Sequence, residues 1–99
     1  MISRVHWLLW YLSPSFKGFY RIVFNYNTHS YLCYRNNKCD NGRSLYDVFL
    51  VVRTSKRCFR MMYCDTTYPA FVYRSFRTSA DCASFMEEIY QKRIQSSFQ

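Results

Sequence analysis

A chain of 99 residues and 12.1 kDa makes one domain, and 49% hydrophobic with 21% aromatic residues suffices for a packed core. That excludes a disordered polyelectrolyte, and only two glycines and two prolines exclude collagen-like or low-complexity chains. Fourteen basic against six acidic residues leave a charge of +8, and ten of the cations are arginine, so a polyanionic partner is expected: nucleic acid or an acidic protein surface.

Residues 1–17 form an apolar N-terminal segment in which the run Val5-His6-Trp7-Leu8-Leu9-Trp10-Tyr11-Leu12 reads as a short helix or a sixth, edge strand. The run falls short of the ~20 residues that span a bilayer. It contains His6 and leads into Ser13-Pro14-Ser15 without a small-x-small cleavage site, so neither a membrane span nor a cleaved signal is expected.

Residues 18–77 read as antiparallel strands. Gly18 opens an alternating run in which Tyr20, Ile22, Phe24 and Tyr26 share one apolar face, the pattern of a half-buried strand. Asn27-Thr28-His29-Ser30 turns the chain into a return strand over residues 31–35, and Asn36-Asn37 with Asp40-Asn41-Gly42 makes a polar loop. Residues 45–53, rich in valine and nearly continuous in apolar character, form a central third strand. Thr54-Ser55-Lys56 leads into a fourth strand over residues 57–64, and Thr66-Thr67-Tyr68-Pro69 into a fifth over 70–77.

The period then changes. Thr78-Ser79-Ala80-Asp81 is a capping box, followed by Cys82, Phe85, Met86, Ile89 and Tyr90 at helical spacing. Acids early and Lys92-Arg93 late suit the helix dipole, so residues 78–95 hold a C-terminal helix. The expected fold is α+β: a predominantly antiparallel sheet of about five strands with the helix packed on one face, one domain over residues 1–99. So short a chain can leave a sheet face bare, which makes a homodimer possible without deciding it.

Basic and aromatic residues alternate around the later strands. Arg53, Lys56, Arg57 and Arg60 surround one hairpin, Arg74 and Arg77 lie on the strand after it, and Tyr63 and Tyr73 are candidates for base stacking. Single-stranded nucleic-acid binders combine such a groove with rings, each stacked base contributing roughly 1–3 kcal/mol. The expected function is therefore non-enzymatic binding of RNA or single-stranded DNA. Tyr, Trp and Arg also dominate protein–protein hot spots, and Trp7, Trp10 and Tyr11 suit an alternative: a phage-type adaptor or inhibitor docking an acidic surface of a host protein or nucleoprotein complex.

A third reading comes from Gly18-Phe19-Tyr20, ten intervening residues and Tyr31-Leu32-Cys33, which resembles the two-strand signature of GIY-YIG nucleases. The resemblance implies that Tyr20 and Tyr31 help position a water against a phosphodiester, with Glu87 or Glu88 as metal ligand. Phe19 and Leu32 stand where that family has isoleucine, and Cys33 replaces its closing glycine.

Five cysteines, an odd number, point to a reducing, cytoplasmic setting rather than a disulfide scaffold. Cys33 and Cys39, like Cys58 and Cys64, are six residues apart. On a straight strand that spacing separates thiols by about 20 Å, so no metal is expected and buried hydrophobe is the better role. His6 and His29 adjoin no credible nucleophile, and no glycine loop cradles a phosphate. No catalytic residue and no cofactor are expected.

Overall fold

The computed structural model describes residues 7–35, 47–64 and 71–97. Five strands, β1 (Arg21–Asn25), β2 (Ser30–Tyr34), β3 (Val48–Ser55), β4 (Cys58–Cys64) and β5 (Phe71–Phe76), pair antiparallel in sequence order as one meander. The chain closes with a long helix, Ser79–Ser97, which with its shorter predecessor described below makes this an α+β fold of the expected class. The expected polar loop after β2 and the turn before β5 lie outside the described residues.

Alternation decides what is buried. Cys33 and Tyr31 oppose Phe49 and Val51, which in turn oppose Tyr63 and Met61, so one face of the sheet is a continuous apolar surface. The long helix covers it with Cys82, Ala83, Met86 and Tyr90, and the N-terminal segment adds Leu8, Leu12 and Phe16. Thr78 opens the helix as the capping signature requires, its Oγ1 accepting from the Asp81 amide at 3.1 Å.

The N-terminal segment differs from expectation. It holds a 3-10 turn at Leu9–Tyr11 and then a short helix, α1 (Pro14–Phe19), where the opening of a strand was expected. The long helix is therefore α2. The reason is local: Ser13 Oγ accepts from the Phe16 amide at 3.1 Å, and Pro14 supplies a helical φ where its missing N–H costs nothing. Gly18 lies within this helix and does not begin a strand. A tertiary contact secures the cap, since Ser13 donates its backbone N–H and its hydroxyl to the two carboxylate oxygens of Glu87 on α2, at 2.7 and 3.1 Å. Strand β1 consequently starts at Arg21, and Tyr26, expected on its apolar face, stands exposed in the following turn.

Arg93 also departs from expectation. It is buried rather than solvated at the end of α2, and its guanidinium donates to Asp47, to the Tyr20 hydroxyl at 3.0 Å and to the Cys64 carbonyl at 2.6 Å. Tyr20 donates in turn to Asp47 at 2.9 Å, and Arg35 approaches the same carboxylate at 3.9 Å. Burial lowers the Arg93 pKa, while the Tyr20 hydroxyl and its hydrogen bond oppose that shift. This cluster ties β3, β4, α2 and the entry to β1 together at one end of the sheet.

Buried acids of the other kind predict the alkaline limit of the fold. Burial pushes the Tyr20 and Tyr31 hydroxyls from 10.0 up to about 12, and the Cys33 and Cys82 thiols from 9.0 up to about 12. Because the folded chain holds these protons more tightly than the unfolded one, their contribution is complete below the unfolded values and is lost as pH rises. Melting temperature should fall from pH 9.0 upward and steepen through 10.0 towards about 12. A flat melting profile between pH 8 and about 11 would contradict this burial.

Candidate functional site

Strand direction sorts the charges. β1, β3 and β5 all run towards the end of the sheet that carries the β1–β2 turn and the β3–β4 hairpin, and α2 begins there. His29 closes the first turn with φ +48°, a left-handed conformation uncommon outside glycine. Its carbonyl accepts from the Arg53 amide at 3.0 Å, which draws the turn against the end of β3. A register shift between Arg53 and Ser55 then bulges the hairpin.

Together these features form a groove of about 410 Å³ lined by Trp7, His29, Arg53, Thr54, Ser55 and Lys56. Arg53 is oriented by its Nε, which donates to the Ser55 carbonyl at 3.3 Å, and its guanidinium carbon lies 5.3 Å from the centre of the Phe59 ring. Trp7 is wedged edge-on against Tyr31 at 4.7 Å and beside Phe59 at 5.2 Å. The indole Nε1 is buried and has no hydrogen-bond partner among the described residues.

The residues singled out from sequence separate as follows. Arg53 and Lys56 line the groove, and Arg57 is exposed beside them at the hairpin tip. Arg77 is exposed just past β5, at the same end, because Phe76 pairs with Phe59. Arg60 and Tyr73 face away from α2 on the open side of the sheet, both exposed. Arg74 and Tyr63 face α2 instead: Arg74 lies 4.8 Å over the Phe85 ring, and Tyr63 packs between Phe49 at 6.0 Å and Phe85 at 5.3 Å. His29 joins the site without having been selected for it, and Trp7, singled out only for the adaptor reading, joins it too. Composition gave no signal for His29, whose role depends on the turn that seats it.

The tyrosines carrying the nuclease resemblance serve the core. Tyr20 and Tyr31 are buried, Tyr20 is committed to Asp47, and Glu87 to the cap of α1. Among the described residues no group of three His, Cys, Asp or Glu side chains could hold a metal ion, and no helix is long and apolar enough to cross a membrane. Cys39, half of one cysteine pair, lies outside the described residues.

No protein-family model, characterised protein or solved structure matches the chain.

What remains is the chemistry of the groove. Arg53 and Lys56 supply fixed positive charge, and Thr54 and Ser55 supply hydroxyls. Of the four described carboxylates, Asp81 alone lies at this end, since Asp47 is buried at the other end and Glu87 and Glu88 lie farther along α2. The field at the hairpin end therefore favours an anion rich in hydrogen-bond acceptors.

Proposed function

We propose that the protein is a non-enzymatic binding module whose hairpin end holds the phosphates of single-stranded nucleic acid. The observation that carries this reading is the gathering of His29, Arg53 and Lys56 in one groove, with Arg57 and Arg77 exposed at the same end. Phosphate contacts supply most of the affinity of such binders, and the exposed Thr54 and Ser55 hydroxyls beside these cations can donate to phosphate oxygens.

Fluorescence anisotropy with a labelled single-stranded oligonucleotide tests the proposal. Binding should weaken linearly in log–log form with salt, with a slope of about −0.7 per phosphate neutralised. Replacing Arg53, Lys56 and Arg57 together with glutamine should flatten that slope by about 2. Absence of binding at ~50 mM salt removes the reading.

The second reading is an adaptor or inhibitor that docks an acidic protein on the same cations. It is favoured by the packed setting of Trp7, which leaves a narrow platform for base stacking. Polyglutamate that competes as well as the oligonucleotide at equal charge would decide for it.

A further inference from the structure

The face of the sheet turned away from α2 is covered by no described element. An unbroken ladder of paired apolar residues crosses it: Val23 opposite Leu32, Leu32 opposite Leu50, Leu50 opposite Met62, and Met62 opposite Tyr73. Val23 is 50%, Leu32 37% and Tyr73 73% exposed, and Leu50 and Met62 between them are half-buried. Scattered apolar side chains on a surface are ordinary, but a continuous row from edge to edge marks an interaction surface.

We propose that a second copy of the chain closes this face, the two sheets stacking about a two-fold axis that runs along the strands over Leu50. Such an axis reverses the row upon itself. Val23 meets the partner's Tyr73, Leu32 meets the partner's Met62, and Leu50 meets the partner's Leu50. Small Val23 is matched with large Tyr73 and the inner pairs are alike in size, so the layer keeps the even thickness of about 10 Å that stacked sheets require. An axis set across the strands would place every residue of the row over its own copy, with bulky Tyr73 pairs at one edge and short Val23 pairs at the other, leaving a wedge.

Charge does not oppose this axis. The only cations within the strands of this face are Arg21 and Arg60. The axis along the strands sets Arg21 against the partner's Phe71 and Arg60 against the partner's Ser30, so neither meets a like charge. With five strands about 4.8 Å apart and about three side-chain rows, each copy offers on the order of 500 Å², and the pair reaches the ~1,000 Å² that a specific interface must clear. A surface that matches itself in this way is what an isologous dimer needs. This pairing is independent of nucleic-acid binding, which uses the end of the sheet rather than its face.

Sedimentation of the nuclease-treated full chain in ~0.5 M salt, which screens residual polyanion, tests it directly. The wild type should sediment at twice its 12.1 kDa mass. Leu50→Arg, which sets two charges against each other on the axis, should give a folded monomer with an unchanged far-ultraviolet circular dichroism spectrum and a melting temperature that no longer rises with protein concentration. Leu32→Glu and Met62→Lys should each be monomeric alone and should form a heterodimer when mixed, because the axis sets residue 32 against residue 62 of the other copy. A wild type that stays monomeric at on the order of 100 µM overturns the proposal, as does a Leu50→Arg variant that stays dimeric. Failure of the mixed variants to associate overturns the axis.

Discussion

Asp47→Ala should lower the unfolding free energy by about 3–5 kcal/mol, out of the roughly 5–15 kcal/mol that holds a domain of this kind. The carboxylate is buried and receives Arg93 and the Tyr20 hydroxyl, with Arg35 at 3.9 Å. Removing it strands the Arg93 guanidinium, only 9% exposed, without its counter-charge, and leaves the Tyr20 hydroxyl without its acceptor. The loss arises from that uncompensated charge more than from the pair itself. Replacing both residues, Asp47→Ala with Arg93→Met, should therefore recover a large part of the stability. Urea unfolding at neutral pH reads both. A loss below about 1 kcal/mol for the single variant, or a double variant no better than the single one, would refute the buried cluster as a stabilising knot.

Phe16→Ala should cost a comparable amount, about 3–5 kcal/mol, by a different route. Phe16 is fully buried and is the one core side chain contributed by α1. Its ring lies 4.5 Å from Tyr20, 5.6 Å from Tyr90 on α2 and 5.9 Å from Phe49 on β3, so it fills the junction of three elements. Truncation opens a cavity between parts that cannot collapse together, and both the transfer and the cavity contributions are lost. Tyr26→Ala, in an exposed turn, is the control and should leave stability within about 0.5 kcal/mol. If the two variants unfold at the same urea concentration, α1 does not pack as described.

The strands and α2 were legible because their signals are local. Period-two alternation marks β1 and β4, turn residues set off β2, a nearly continuous apolar run marks β3, and Thr78 with Asp81 marks where the period changes. α1 was legible too, in Ser13-Pro14, but the alternating run after Gly18 outweighed it, and six residues are too few to show a helical period. The Asp47–Arg93 pair had no local trace, being 46 residues apart in the chain. For the site, alternation correctly put Arg60 and Met62 on one side of β4 and Phe59, Met61 and Tyr63 on the other. It could not say which side α2 would cover, and that choice alone separates half-buried Tyr63 from open Tyr73. The cluster at the hairpin was visible because a hairpin keeps sequence neighbours together. His29 was not, since only the folded turn brings it to Arg53.

The meander has a consequence for how the chain is made. Each strand pairs with its predecessor, so the sheet can zip up hairpin by hairpin as residues leave the ribosome, at small loop-closure cost. The contacts that seal the core span the whole chain: Ser13 waits for Glu87, 74 residues later, and Tyr20 for Arg93, 73 later. Until the last helix emerges, a finished sheet presents its apolar face to solvent or to a chaperone. Substitutions at Glu87 or Arg93 should thus act chiefly on the rate of unfolding and leave the early, sheet-building steps nearly untouched.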